Sequence, residues 1–165
     1  MRKPLLILLV LLCVALLARD SVWELAGGPA DPGPVDFATL EHLSGAPSWL
    51  LCPKSLCVAA APDEEPPVYA LPAEALRAAL LTALGAEENL SAPAIENGLS
   101  ERYVQRSSVL HLPDAIAIRY LPVSDDTSTL AIYSRSILRF AADDRNRKRV
   151  ERWLAKLSAL PRADR

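Results

Sequence analysis

Eight of the chain's 14 prolines fall between Pro29 and Pro67. Proline fixes φ and has no N–H to donate, so this density forbids a long helix and disfavours any central strand. The segment from Pro29 to Pro67 is therefore expected to form an extended, turn-rich strap that follows an N-terminal hydrophobic helix, with regular structure of the domain beginning near Val68. One short helix is expected inside the strap, from Phe37 to Leu43. Asp36 would cap it, and Phe37, Leu40 and Leu43 would share one face. At 51% hydrophobic and 23% charged residues, the chain has enough apolar side chains to form a core and is not a disordered polymer. Three cysteines are too few for a disulfide-stapled miniprotein.

Downstream of the strap the periodicity changes. Val68 to Leu71 reads as a short strand. Pro72 suits a first helical turn, Leu76, Leu80 and Leu84 recur every fourth residue, and Gly85 ends the helix. Residues 87–100 are polar and broken by Pro93 and Gly98, which predicts a loop. Three strands are expected at Arg102 to Leu110, Ala115 to Leu121 and Thr129 to Leu138, joined by connections short enough for an antiparallel meander. A last helix is expected from Asp144 to Leu160, with Val150, Trp153, Leu154, Leu157 and Leu160 as its apolar stripe. The order β-α-β-β-β-α predicts an α+β fold, an antiparallel sheet with its helices on one face.

Strand alternation divides the side chains in two. Tyr103, Val109, Ile116, Ile118, Tyr120, Leu130 and Ile132 form one face, suited to lie under the helices. Arg102, Arg106, Arg119 and Arg135 form the other, interleaved with Ala115, Ala117, Ala131 and Tyr133. Charge shows the same asymmetry. Residues 1–101 carry 5 basic and 13 acidic side chains, whereas residues 102–165 carry 13 basic and 7 acidic ones. Net charge is only −2, so no overall nucleic-acid footprint is expected.

The N-terminus carries a different signal. Leu5 to Ala18 is an unbroken apolar run of 14 residues, preceded by Arg2 and Lys3 and closed by Arg19-Asp20. The pattern fits an export signal or an N-terminal membrane anchor. Leu16-Leu17-Ala18 is a poor cleavage site, which favours retention. Residues 1–20 are thus read as a leader, 21–34 as a linker and 35–160 as one domain. Residues 5–18 would contact the cytoplasmic membrane, and the domain would face the periplasm.

Cys52 and Cys57, in Cys-Pro-Lys-Ser-Leu-Cys, are expected to pair in an exported chain, free thiols being the alternative. The histidines are too few for a zinc site there, and no cofactor or metal is expected. No nucleophile elbow, phosphate loop or dinucleotide fingerprint appears, so no catalytic residue is assigned. The arginine face suggests an anion site, because guanidinium forks match phosphates and carboxylates. Arg106, Arg119 and Arg135 would be its contacts. The alternative is a solvated face paired with acidic side chains, including those of the strap. Arg147 and Arg149, in the basic run Arg145 to Arg149, are second contacts or fold-supporting pairs.

Tyr133-Ser134-Arg135-Ser136, followed by Asn146 to Leu154, resembles the closing signature of the family called domain of unknown function 1499. Arg102 to Ser107 and Leu112 to Ile116 are similar to its central strands. Val35 to Leu40 and the Cys52–Cys57 loop resemble its start. Where family members carry Gly-x-x-Asp-x-Gly, this chain has Arg139, Ala142 and Asp144. The resemblance implies an extracytoplasmic, membrane-anchored bacterial protein and no particular reaction. The function expected is a non-enzymatic binding or structural module of the envelope with an anionic ligand or an envelope protein as partner. An enzyme of unknown class, or a structural subunit of an envelope complex, are the alternatives.

Overall fold

The computed structural model describes residues 2–41, 45–139 and 144–163. Two N-terminal helices, α1 (Arg2–Leu17) and α2 (Arg19–Gly27), precede β1 (Ser48–Leu51), α3 (Ala73–Leu84), β2 (Ala94–Ile95), β3 (Ser100–Arg106), β4 (Pro113–Pro122), β5 (Ser128–Ser136) and α4 (Arg145–Lys156). The five strands form one antiparallel sheet in the order β1-β5-β4-β3-β2. The α+β class is as expected from the sequence, but the sheet is not assembled as expected.

The first strand is β1, inside the strap, and not Val68 to Leu71. Trp49, Leu50 and Leu51 lie between Pro47 and Pro53, so the prolines flank the strand and take none of its ladder N–H positions. Pro47 still accepts: its carbonyl takes the Ser136 N–H at 2.9 Å. Residues 68–71, boxed in by Pro67 and Pro72, make only bridges at Tyr69, to Ser128 and Arg162. The expected loop 87–100 contains the two-residue strand β2. The third departure is at Val109. Strand β3 ends at Arg106, because the next residues turn: Ser107 Oγ accepts the Leu112 N–H at 3.0 Å, and His111 adopts φ 54°. Val109 is therefore 79% exposed and lies on neither sheet face.

The expected helix at Phe37 is instead a turn. The Asp36 carboxylate accepts the Ala38 N–H at 3.0 Å and the Thr39 hydroxyl at 2.9 Å. These are the bonds of an N-cap, so Asp36 does cap the segment as expected, but a single turn over 37–39 follows and no helix propagates from it. Leu43, the end of that expected helix, and Ala142 lie outside the described residues.

Two apolar layers hold the sheet. Helices α3 and α4 cover one face with Leu76, Leu80, Leu84, Val150, Trp153 and Leu157, against Tyr103, Ile116, Ile118, Tyr120, Leu130 and Ile132. This is the face that strand alternation predicted. The strap covers the other: Phe37, Cys52, Cys57 and Ala60 bury Leu50, Ala117, Ala131 and Tyr133. Cys52 and Cys57 form a disulfide at the strap's turn. The small side chains Ala117 and Ala131 leave room for the strap to approach the backbone, which is why a proline-rich segment with few large residues completes the fold.

Candidate functional site

The arginine face is not open. Val35 and its neighbours lie across it, and the space between strap and sheet beside Arg135 is about 10 Å³, no more than a single water needs. Its arginines meet the acids of the N-terminal half. Asp31 receives a two-pronged contact from Arg102, Nε to Oδ1 at 2.9 Å and Nη2 to Oδ2 at 3.2 Å, and Glu96 meets Nη1. The hydrogen bond from Arg102 holds the Asp31 carboxyl below its ordinary range. Arg106 lies 3.4 Å from Asp20 and 3.5 Å from Glu24 of α2. Arg119 lies on the strap side as well, where its charge helps to lower Asp36 after the Ala38 and Thr39 hydrogen bonds. Pairing with acidic side chains was the alternative that the sequence left open, and it describes Arg102, through Asp31 and Glu96, and Arg106, through Asp20 and Glu24 of α2, on a face that is covered instead of solvated.

On the helix side a polar network links β4, β5 and α4. Arg149 is 5% exposed, yet all three nitrogens of its guanidinium are hydrogen-bonded. Nη1 donates to Ser134 Oγ at 2.7 Å and to Asn146 Oδ1 at 2.8 Å, and Nη2 donates to Asp114 Oδ2 at 2.6 Å. Nε donates to Gln105. Asp114 also accepts the Ser136 hydroxyl at 2.8 Å, Asn146 donates to Ser136 Oγ at 3.1 Å, and Ser134 donates to Asn146 Oδ1 at 2.8 Å. Asn146 finally donates to the Pro47 carbonyl at 2.9 Å, which ties β1 into the network. Burial disfavours the Arg149 charge and lowers its pKa, while Asp114 opposes that shift.

The network has a sequence origin. Ser134 and Ser136 are two apart on β5, so they face the same side. Asn146 and Arg149 are three apart on α4 and present themselves together to the strand. Strand pairing sets Asp114 opposite Ser136.

Above this floor lies a cleft of about 530 Å³ between the end of β3, the segment after α3 and the first turns of α4. Its cations are Arg106, Arg145, Lys148, Arg149 and Arg152, against the carboxylates of Glu87, Glu88 and Asp114. Arg152 reaches Glu87 at 2.9 Å and Lys156 does so at 2.6 Å. Burial raises the Glu87 pKa, but the hydrogen bonds from Arg152 and Lys156 prevail and hold it at about 2. Lys148 extends into solvent and pairs with Asp144 at 2.9 Å, an interaction that lowers the Asp144 carboxyl. The cleft lining thus carries five cations against three carboxylates, a positive excess in which Arg152 is paired with Glu87 and Lys148 with Asp144, and Arg149 is held by the buried network.

The five arginines singled out in the sequence do not converge. Arg106 and Arg149 line the cleft. Arg119 and Arg135 belong to the strap side of the sheet. Arg147 lies over the Trp49 ring, 5.3 Å from its centroid, and pairs with Glu151 at 2.7 Å. Arg145, Lys148 and Arg152 were missed as site residues. Their 145/148/149/152 spacing places them on one side of a helix, which was readable, but the cleft wall opposite comes from residues 86–89, expected only as loop. Ser134 and Ser136 are buried beneath α4, Tyr133 is in the strap-side core, and His111 faces α2. Comparisons with family models, curated proteins and solved structures gave no match.

Proposed function

We propose that the protein is an extracytoplasmic module, held at the cytoplasmic membrane by residues 5–18, whose domain binds an anionic ligand without transforming it. The observation that carries this reading is the cleft, lined by Arg106, Arg145, Lys148 and Arg152 together with the buried Arg149. Phosphate and carboxylate groups suit such a site, because they accept several charge-assisted hydrogen bonds at once. We read the chain as a divergent member of the family called domain of unknown function 1499. The segments that carry the resemblance supply Asp114, Ser134, Ser136, Asn146 and Arg149, which together make the cleft floor.

Calorimetric titration of the detergent-solubilised full chain with inorganic pyrophosphate tests the binding claim. Binding is expected to weaken as salt is raised. The paired change Lys148→Ala and Arg152→Ala should weaken it ~10-fold or more, the scale of a lost charge-assisted hydrogen bond. Arg119→Ala with Arg135→Ala should leave it unchanged. The opposite pattern would move the site to the strap side of the sheet, and binding that neither pair alters would refute an arginine-based site.

A further inference from the structure

Helix α2 is polar toward the protein and apolar toward the outside. Arg19, Asp20, Trp23, Glu24 and Gly27 recur at helical spacing on one side, and each touches the domain. Arg19 donates to His111 Nε2 at 2.6 Å, and His111 Nδ1 lies 3.3 Å from Asp20. The Trp23 indole donates to the Leu110 carbonyl at 2.6 Å, and Glu24 faces Arg106 at 3.5 Å. Gly27 comes so close that a Cβ there would lie 2.6 Å from Leu138 Cδ2. The opposite side carries Ala18, Ser21, Val22 and Leu25, mostly apolar, with Leu25 91% and Val22 50% exposed. A helix resting on a water-soluble domain ordinarily turns its apolar stripe inward. Here the arrangement is reversed.

Two further features adjoin α2. The turn after β3, which Trp23 grips, exposes Val109 and Leu110. The apolar helix α1 ends one residue before α2 begins. Among the described residues no single helix is long and apolar enough to cross a membrane, and α1 and α2 are bent from each other by 59°. Sixteen residues of helix measure ~24 Å, short of the ~30 Å hydrocarbon layer. Helix α2 does not make up the difference as a second half-span. Its Arg19, Asp20 and Glu24 are committed to partners on the domain, and charged groups lodge in hydrocarbon only at high cost.

We propose that the outer face of α2, together with Val109 and Leu110, rests on the lipid bilayer that holds α1. Helix α2 is then an interfacial helix lying between the domain and the headgroups, and it fixes the domain's orientation as well as its distance from the membrane. Apolar side chains on one face and charged ones on the other are the pattern such helices use. Lipid is the occupant because the face is continuous, through one residue, with the apolar run. The proposal rests on the anchor reading and goes beyond it, since a tether alone would leave α2 in water.

The test uses the full chain in phosphatidylcholine–phosphatidylglycerol vesicles. A fluorescent label is placed in turn at Cys13 of the native chain and, with Cys13→Ser, at Leu25→Cys, Val109→Cys and Asp125→Cys. The Cys52–Cys57 disulfide stays intact and unlabelled. Labels at 25 and 109 are expected to be shielded from aqueous iodide and quenched by nitroxide lipids of shallow depth. Position 125, in the turn joining β4 and β5, should remain open to iodide. If Cys13 is lipid-protected while 25 and 109 are as accessible as 125, docking is refuted and the anchor stands. If Cys13 is itself open to iodide, the anchor fails and docking fails with it. Protection of 25 and 109 that appears only in native membranes would overturn lipid in favour of a protein partner.

Discussion

Replacing Arg149 by methionine isolates what the buried network contributes. Methionine fills a comparable path along α4 and is as good a helix former, so the change tests charge and hydrogen bonding more than propensity. It removes the closest charge partner of the Asp114 carboxylate, 1% exposed, leaving among the described residues the Ser136 hydroxyl at 2.8 Å and Arg145 Nη2 at 3.8 Å from its Oδ1. Ser134, Asn146 and Gln105 each lose a donor at the same time. Leaving one member of a buried pair uncompensated costs about 3–5 kcal/mol. With a urea m-value of about 2 kcal/mol/M, the unfolding midpoint should fall by about 2 M. Adding Asp114→Asn to Arg149→Met removes the unpaired charge, so the double variant should be more stable than the sum of the single changes by about 1–3 kcal/mol. Urea titration of the full chain in mild detergent, followed by tryptophan fluorescence, measures all three. A cost below about 1 kcal/mol for Arg149→Met, or strict additivity, would refute the reading of a desolvated, mutually dependent network.

Phe37→Ala should cost about 3–5 kcal/mol, because the ring is 2% exposed and seats the strap; the same urea titration reads it. Cys52→Ser with Cys57→Ser should cost about 2 kcal/mol, the loop-closure entropy of so short a ring, and reductant should lower the wild-type midpoint to match. Glu87 sets an acid limit. Its pKa is about 2 in the folded protein against an ordinary 4.5, so the stability it supplies is complete above about pH 4.5 and is lost as pH falls toward 2. Glu87→Gln should flatten that part of the stability–pH curve, and an unchanged acid limb would refute the assignment.

Periodicity carried the helix-side core. Leu76, Leu80 and Leu84, the β3–β5 alternation apart from Val109, and Val150, Trp153 and Leu157 of the last stripe packed as their spacing requires, because each element buries one face, while Leu154 and Leu160 are only partly buried. The strap side was harder. Proline density was a sound argument against helix, but a four-residue edge strand needs few ladder bonds, and Ser48–Leu51 finds them on β5. Such pairing is tertiary and leaves no periodic trace in a segment so short. The arginines were placed on the correct sheet face, yet what covers that face is decided by residues 30–60, whose path the sequence did not reveal. The basic run at Arg145 to Arg149 looked uniform. The structure separates it by helical phase into a buried Arg149, a cleft-facing Lys148 and an Arg147 stacked on Trp49.

The central claim is that an anion occupies the cleft on α4. Nitrogen-15 NMR of the arginine side chains, recorded on the full chain in lipid nanodiscs during titration with pyrophosphate, observes it directly. The Nε signals of Arg106, Arg145 and Arg152 should move together and saturate with one affinity, while those of Arg119 and Arg135 stay in place. Saturating shifts at Arg119 and Arg135 with the cleft arginines unmoved would contradict the account, as would a titration that moves none of them.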